Sequence, residues 1–275
     1  MTAFLEDTSP PAMAPAIEAN AAAQYALLAR LLDAELDDGP AALWFITGID
    51  FSLFNGVMRA RFTPDEADAC IDALLARFAA RDVPMVWHVG PHSLPGDLGE
   101  RLEARGFFAS EGAPGMAVAL ETLVRRPLPR GLTIAPVTNE ADFAHWLRVL
   151  DVGFGLRTIA RDSIARASRR DGFGPDAGMR HYLGRLEGEP IATCTLFPGA
   201  GVAGIYNVAT LPAVRRLGVG AAITLLPLLD ARAAGYHVGI LQSTPMGYGV
   251  YRRLGFRRLA TLTQYTWRPA SFGFT

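Results

Sequence analysis

The sequence contains no lysine, and arginine supplies all 26 of its basic side chains. We interpret this bias as a property of genomic composition rather than of chemistry. It still has a functional consequence, because a phosphate-binding P-loop requires a Gly-Lys-Ser or Gly-Lys-Thr step. Nucleotide sites of the P-loop class are therefore excluded.

An excess of charge of one sign is also lacking. The 27 acidic residues nearly balance the 26 basic ones, which leaves a formal net charge of −1. Domains that bind nucleic acids usually carry a clear basic excess. The charge balance therefore predicts that no nucleic acid is a partner.

Cysteine is scarce. Cys70 and Cys194 are far apart, one in a helical pattern and one in a strand pattern, and neither has metal-ligand spacing around it. We expect neither a disulfide framework nor a metal site. Two isolated thiols are best suited to a reduced cytoplasm.

Long hydrophobic runs are missing as well. No segment approaches the roughly 18 uninterrupted apolar residues of a membrane-spanning helix. The N-terminal segment MTAFLEDTSPPAMAPA carries acids and prolines where a signal peptide would carry positive charge and a continuous apolar core. The sequence predicts a soluble cytoplasmic protein that is not exported and has no membrane partner.

Apolar residues are abundant. They make up 50% of the 275 residues, enough for two domains of ordinary size. The stretch RRPLPRG, at residues 125–131, has two prolines and no periodicity, which is typical of a linker. We predict a disordered tail at 1–14, a first domain at 15–124 and a second domain at 132–275.

Hydrophobic periodicity predicts both helices and strands in each half. In the first half it predicts helices at 15–37, 64–80 and 95–105, and strands at 42–49, 51–62, 84–89 and 107–120, with Asn55-Gly56 as a turn or bulge signal. In the second half it predicts strands at 132–137, 179–186, 190–197, 202–210, 238–242 and up to 267. The helices there are predicted around 143–150, at 162–170, after residue 220 and at 245–254.

One stretch organises the second half, Ile205 to Ala222 (IYNVATLPAVRRLGVGAA). An apolar strand ends within it, and Arg215, Gly218 and Gly220 precede the apolar run of a helix. Glycines lack Cβ atoms, so successive backbone N–H groups can close on an anion at the positive end of that helix. The Arg-x-x-Gly-x-Gly spacing differs from the Gly-x-Gly-x-x-Gly of dinucleotide sites. It predicts a phosphate-binding cradle of another kind.

Two motifs in this order resemble the GNAT superfamily of N-acetyltransferases, over about residues 132–269. The first is VATLPAVRRLGVG, from Val208 to Gly220, and the second is YRRLGF, from Tyr251 to Phe256. The resemblance implies the acyl-CoA N-acyltransferase fold, which is an α/β (α+β) fold built on a mixed sheet. It also implies a site for acetyl-CoA as co-substrate, without a metal.

The resemblance assigns this site residue by residue. The pantetheine arm would take main-chain hydrogen bonds from about Val208 and Thr210. The pyrophosphate would lie on the N–H groups of residues 216–221, with charge-assisted contacts from the arginines. Thr244, where many relatives have asparagine, could still bond the pantetheine with one group fewer. The implied cofactor-binding residues are Val208, Ala209, Thr210, Arg215, Arg216, Leu217, Gly218, Val219, Gly220, Ala221 and Thr244.

The resemblance also implies direct transfer, in which a strand N–H stabilises the oxyanion and Tyr251 protonates the departing thiolate. Tyr251 could equally be a core or surface aromatic of an amphipathic helix. The general base is not identified, because Tyr206 and Asn207 stand where some relatives have a glutamate. A water chain or His181 would have to serve, although a histidine in a strand pattern is more often structural. We interpret Cys194 as a small buried residue rather than a nucleophile.

The first half repeats the order of the second. A strand, a helix and Gly106-Phe107 parallel the strand, the helix and Gly255-Phe256, with Leu102 opposite Tyr251. The helix that corresponds to the cradle helix starts with RFTPDEADA, which has no glycine pair and carries acids that would repel an anion. We interpret the first half as a degenerate, non-catalytic GNAT-like domain in tandem with the second. Chance similarity of short motifs is the alternative.

The leading functional hypothesis is an acetyl-CoA-dependent N-acyltransferase that acts on a small-molecule or amino-acid-like amine, as a monomer or homodimer. One alternative is a non-catalytic regulator that binds acyl-CoA. Another is a tandem enzyme with two working sites. The acceptor pocket would be built from residues 151–178, whose sequence indicates no particular chemistry.

Overall fold

The computed structural model describes residues 3–269. Residues 1–2 of the predicted tail and residues 270–275 of the predicted second domain lie outside the described residues. The helices are α1 Pro10–Leu31, α2 Ala67–Ala80, α3 Leu98–Glu103, α4 Glu140–Phe154, α5 Thr158–Asp171, α6 Val219–Ala233 and α7 Pro245–Leu254. The strands are β1 Glu35–Asp38, β2 Leu43–Ile46, β3 Asn55–Met58, β4 Met85–Val89, β5 Phe108–Ala109, β6 Ala113–Ala119, β7 Leu132–Pro136, β8 Arg180–Leu186, β9 Glu189–Gly199, β10 Val202–Thr210, β11 Val238–Gln242 and β12 Arg257–Trp267.

The chain divides into two compact units. In the described residues, unit 1 consists of 3–21 and 114–259, and unit 2 consists of 22–113 and 260–269. These units differ from the predicted domains, which were separated at 125–131. Unit 1 includes residues 3–21 from the first half of the sequence, and unit 2 includes residues 260–269 from the second half. Local sequence patterns do not indicate this arrangement.

Unit 1 is built on a mixed sheet with the strand order β6-β11-β10-β9-β8-β7. β10 and β11 are parallel and are connected by α6, whereas the other neighbours are antiparallel. Tyr182 of β8 packs in the cluster that includes α6, and the next residue, Leu183, packs in the cluster that includes α4. Successive strand residues point to opposite faces, so α6 and α4 cover opposite faces of this sheet.

Unit 2 repeats this arrangement on a smaller scale. Its strand order is β1-β2-β3-β4-β12, with β5 also paired to β12. The strands β1, β2 and β3 are antiparallel, and β3 then runs parallel to β4, to which α2 connects it. The pair β3–β4 with α2 thus corresponds to the pair β10–β11 with α6, as the internal repeat in the sequence predicted.

Aromatic side chains fill the core of unit 2. Trp87 meets Phe62 and Phe107 edge to face, with ring centroids 6.4 and 6.2 Å apart. Trp44 and Phe54 are buried as well. Phe51, by contrast, is only partly buried.

Most predicted elements are present, and the bounds of β11 and α7 match the predicted ones. α1 begins at Pro10 rather than at Pro15, within the predicted tail. β1 was not predicted, because its sequence Glu-Leu-Asp-Asp is mostly acidic and two of its residues are exposed. Among residues 3–269, no helix is both long and apolar enough to cross a membrane.

The predicted turn or bulge at Asn55-Gly56 is wrong, because both residues lie in β3 and pair with β2 without a shift in register. The Asn55 side chain is completely buried and satisfies the backbone of the adjoining loop. Its Oδ1 accepts from the Thr47 N–H at 2.9 Å, and its Nδ2 donates to the Ile49 carbonyl at 2.8 Å and the Pro84 carbonyl at 3.0 Å. The Asn55 side chain therefore stabilises a loop through hydrogen bonds to its backbone and does not form a turn.

Gly56 lies where β3 passes very close to β4. A Cβ atom at this position would be 2.5 Å from the backbone carbonyl oxygen of Val86. We predict that Gly56→Ala lowers the free energy of unfolding of unit 2 by about 1–3 kcal/mol, the usual cost of overpacking. Urea unfolding measures the effect. Gly96→Ala is the matched control, because a Cβ at Gly96 meets nothing within 4 Å; equal stability of the two variants would contradict the prediction.

Candidate active site

The strands β10 and β11 pair only along the first part of β10. The parallel register joins Ala203–Ile205 to Gly239–Leu241, whereas β10 continues to Thr210. β9 remains paired with β10 as far as Thr210. In the described part of the chain, the edge of β10 that faces β11 therefore has no partner strand beyond Ile205.

A backbone donor points to this open edge. The Leu211 N–H, just after β10, donates to the Ile191 carbonyl on the β9 side at 2.9 Å. Backbone N–H groups alternate between the two edges of a regular strand, so the Thr210 N–H points away from β9. Thr210 is one of the two donors that the resemblance assigned to the pantetheine arm. The other, Val208, lies within an irregular part of β10.

A β-bulge marks the start of the open edge. Tyr206 pairs with Thr195, and the next pair is Ala209 with Thr193, so β10 carries one residue more than β9. Asn207 lies in this extra length with φ of 52°, in the left-handed region that non-glycine residues seldom adopt. The bulge bends β10 at the level where the open edge begins.

The predicted phosphate cradle lies between β10 and α6. Gly218 adopts φ of 85° and is the N-cap of α6, with no side chain capping the helix. The first helical bond runs from the Ala222 N–H to the Gly218 carbonyl at 3.1 Å, so the preceding N–H groups have no acceptor within the helix. A Cβ on Gly220 would lie 3.9 Å from the Thr210 methyl group and meet nothing nearer. The two glycines leave the helix start open.

The charges around the helix start favour an anion. The first turn of α6 contains no acidic residue. Arg216 is exposed and adopts φ of 65°, while the Arg215 Nε donates to the Thr210 carbonyl at 3.4 Å. Arg215 thus ties the turn to the end of β10, and Arg216 extends toward solvent. The positive end of the helix and this guanidinium attract the same anion.

Tyr251 lies in α7 with its side chain 8% exposed, packed edge to face on Phe256 at 6.0 Å between ring centroids. It shares a core cluster with Cys194, the β9 residue between the two threonines opposite the bulge. Burial, with a smaller contribution from Cys194, raises the pKa of the Tyr251 phenol above its ordinary value. The phenol is therefore a protonated donor at neutral pH.

Thr244 has a local structural task. It is the N-cap of α7, and its Oγ1 accepts from the Gly247 N–H at 3.2 Å. The hydroxyl hydrogen is not used in this bond. The threonine thus sets the start of the helix that carries Tyr251.

His181 is buried and lies against the Trp146 ring, with centroids 4.2 Å apart. Its Nδ1 is 2.9 Å from the Thr195 Oγ1, and its Nε2 is 3.1 Å from the Ser168 Oγ. Burial lowers the pKa of His181 to about 3. A general base works best with a pKa near the operating pH, so this imidazole is poorly suited to that role.

Sequence reasoning missed a further polar contact. The Tyr206 hydroxyl donates to the Asn20 Oδ1 at 2.7 Å, and the Asn20 Nδ2 donates to the Gly199 carbonyl at 2.7 Å. α1 is thereby fastened to the hairpin of β9 and β10. Tyr206 and Asn20 are 186 positions apart, so no spacing pattern could have indicated the contact.

In unit 2 the corresponding opening is closed. Beyond β3, the Leu94 N–H donates to the Ala60 carbonyl at 2.9 Å, and the Phe62 N–H donates to the Leu94 carbonyl at 3.2 Å. Asp68 stands in the first turn of α2 and pairs with Arg101 at 2.6 Å. A backbone segment therefore occupies the open edge, and a carboxylate occupies the start of the helix.

The described residues contain no group of three or more His, Cys, Asp and Glu that could hold a metal ion. The groups described at the candidate site are backbone donors, arginines and the Tyr251 phenol. These groups can bind an anion, orient an extended chain along a strand edge and supply a proton.

No protein-family model and no curated protein matches the sequence. A GCN5-related N-acetyltransferase from Kribbella flavida is 21% identical, with a TM-score of 0.71 over 90% of this chain and 95% of that chain. One from Sphaerobacter thermophilus is 17% identical, with a TM-score of 0.58 over 90% of this chain and 94% of that chain. A tandem GNAT protein from the clavulanic acid biosynthesis pathway is 14% identical, with a TM-score of 0.53 over 72% of this chain and 69% of that chain.

These similarities show the fold. The chain has the mixed α/β fold of the GCN5-related N-acetyltransferases, and one of the similar structures is a tandem protein. The predicted fold class is confirmed.

The buried His181 should make folding depend on pH. The unfolded imidazole takes up a proton near its ordinary pKa of about 6.5, whereas the folded one resists protonation down to about 3. The unfolded state then binds more protons, so the free energy of unfolding falls as the pH drops below 6.5, by up to about 1.4 kcal/mol per pH unit. Urea unfolding of the wild type and His181→Asn between pH 7 and 5 measures this. The slope should decrease by about one proton in the variant; equal slopes would contradict the prediction.

Proposed function

We propose that this protein is a GNAT-superfamily N-acetyltransferase that moves the acetyl group of acetyl-CoA directly to the amine of a small-molecule or amino-acid-like acceptor. One observation carries the proposal. Unit 1 combines an open strand edge, an uncapped helix start without acids and a protonated phenol around one bulge. The GNAT-like fold of the chain supports the same activity.

The residues present fit acetyl-CoA. The Thr210 N–H at the open edge, together with the Val208 N–H of the bulge, suits the amide-rich pantetheine arm, which can add to a strand edge by main-chain hydrogen bonds. The N–H groups from Arg216 to Ala221 suit the pyrophosphate, since a helix start with glycines accepts an anion. When bound, acetyl-CoA supplies an activated acetyl thioester.

Tyr251 is assigned the role of proton donor. Its raised pKa keeps the proton on the phenol oxygen at neutral pH, where it can be given to a thiolate leaving group. The burial that holds the ring against Phe256 limits its rotation. The bulge at Asn207 and Val208 lies opposite Cys194 of β9. Cys194 and Tyr251 belong to the same core cluster.

The acceptor side is assigned to the segment of α4 and α5. Gly153, near the end of α4, is so close to β10 that a Cβ there would fall 2.6 Å from the Ala209 Cβ. The C-terminal end of α4 therefore runs directly over the open half of β10. Val152 and Phe154 beside this crossing are exposed, which gives the acceptor pocket an apolar wall. Both cysteines are free thiols. This agrees with the cytoplasmic location that we propose. We also propose that the protein is a monomer or a homodimer.

Tyr251→Phe should lower kcat by about 100- to 10,000-fold, the usual contribution of general acid catalysis, while acetyl-CoA binding is retained. Release of free CoA against a panel of amines measures turnover, and calorimetry measures binding. Tyr248→Phe is the matched control, because Tyr248 is a partly buried tyrosine of the same helix that packs against the same core cluster and has no assigned role. Full activity of Tyr251→Phe would remove the tyrosine from the mechanism.

A non-catalytic acyl-CoA-binding regulator is the second candidate. It is favoured by the state of two candidate proton acceptors, since His181 is buried with a low pKa and the Tyr206 hydroxyl is bonded to Asn20. The same experiments separate the candidates. Acetyl-CoA binding without turnover on any amine would select the regulator.

Unit 2 is proposed to be a non-catalytic domain, because Leu94 fills its strand edge and Asp68 stands at its helix start. We predict that calorimetry finds one acetyl-CoA per chain. Gly220→Asp should abolish that single site, since its carboxylate would repel the pyrophosphate at the start of α6. A stoichiometry of two would instead establish a tandem enzyme with two working sites.

A further inference from the structure

A chain of four polar side chains crosses the sheet of unit 1 beneath α4 and α5. It runs from Ser168 in α5 through His181 in β8 and Thr195 in β9 to Asn207 in β10. The distances are 3.1 Å from the Ser168 Oγ to the His181 Nε2, 2.9 Å from the His181 Nδ1 to the Thr195 Oγ1, and 3.1 Å from the Thr195 Oγ1 to the Asn207 Nδ2. The first three residues are buried. The chain ends at the bulge of the candidate site.

Asn207 is the residue with unfavourable backbone geometry. Its left-handed conformation is unfavourable for a residue with a Cβ atom and persists only where neighbouring groups hold it. Two threonines of β9 do so from both ends of the residue. The Thr195 Oγ1 accepts from the side-chain amide, and the Thr193 Oγ1 donates to the Asn207 carbonyl at 2.9 Å.

The direction of the bonds follows from the donors. The Asn207 amide can only donate, so it fills one lone pair of the Thr195 hydroxyl. The hydroxyl hydrogen is then available to the His181 Nδ1, and in this tautomer the Nε2–H donates to Ser168. A neutral imidazole can complete this chain because it has one donor and one acceptor, whereas a protonated ring has two donors. Trp146 and Phe143, which lie against the ring, exclude water from it.

We propose that His181 is a positioning residue: through Thr195 it fixes the left-handed Asn207 and so directs the Val208 N–H into the open edge of β10. The inference rests on the proposed function, in which that edge receives the acetyl-bearing arm of acetyl-CoA. It gives His181 a task other than the general base considered from the sequence. His181 itself touches neither the open edge nor the helix start.

Two variants interrupt the chain without changing its shape. Thr195→Val replaces the central hydroxyl by a methyl group of similar size, and Ser168→Ala removes the outer hydroxyl. Ser163→Ala is the matched control: Ser163 is also a buried serine of α5, but its hydroxyl donates to the Ile159 carbonyl and is not part of the chain. Thr195→Ser restores the hydroxyl and should rescue the wild-type behaviour.

The first readout needs no ligand. Amide hydrogen exchange, followed by NMR, should be about tenfold faster in Thr195→Val at Ala209, which pairs with Thr193 of β9 next to the bulge, because local opening of the bulge becomes easier. Ser168→Ala should change it in the same direction by a smaller factor, and Ser163→Ala should not change it. Unchanged exchange at the bulge in both chain variants would overturn the proposal. If Thr195→Val does not fold, Ser168→Ala decides the question.

The second readout compares two probes by calorimetry, acetyl-CoA and its adenosine bisphosphate half. Thr195→Val should weaken acetyl-CoA by about tenfold and leave the nucleotide half within about twofold, because only the former contacts the bulge. Equal weakening of both probes would indicate a general structural defect and overturn the proposal. If wild-type protein binds neither probe, the proposed function fails, and the exchange result still judges the role of His181.

Discussion

Halfway along β10 the parallel hydrogen bonding to β11 stops, and the rest of unit 1 is arranged around that break. A strand interior normally uses both of its edges, and leaving buried N–H groups without acceptors is costly. Here β9 remains paired with one edge of β10 on both sides of the bulge at Asn207. The other edge of β10 can therefore be open while the hydrogen bonds to β9 are kept. Thr210, at the end of β10, lies beside Gly220 at the start of α6. A strand edge and a helix start thus adjoin each other.

The two units share a topology but differ in a few local features, which leave the strand edge open in unit 1 and closed in unit 2. Both contain a run of antiparallel strands, a parallel pair and a helix that connects that pair. In unit 2 the backbone of Leu94 supplies the hydrogen bonds that the open edge lacks in unit 1. Acids at the start of α2, paired with Arg101, replace the glycines at the start of α6. Topology is therefore shared, and local backbone and charge decide whether an anion can bind.

Sequence patterns predicted the elements well where side-chain periodicity was strong. The run Val238–Gln242 and the helix Pro245–Leu254 were located correctly, because an apolar strand and a capped helix ending at glycine are local signals. β1 escaped prediction because Glu-Leu-Asp-Asp does not look like a strand, and Asn55-Gly56 misled because a buried asparagine can hold a loop as well as form a turn. The unit boundaries also escaped, since β12 and α1 each contribute to both units.

The sequence by itself determined where the proposed cradle and the proposed proton donor lie in the chain, because the spaced glycines and the Tyr251 motif are short and local. It also determined that the first half lacks these features. Only the tertiary structure decided that β10 parts from β11, that Leu94 closes the equivalent edge in unit 2 and that His181 is bonded into a chain reaching Asn207. The physical reason is that hydrogen bonds between distant segments, and the burial that lowers the pKa of His181, depend on which strands meet. The spacing of residues within one segment does not indicate which strands meet.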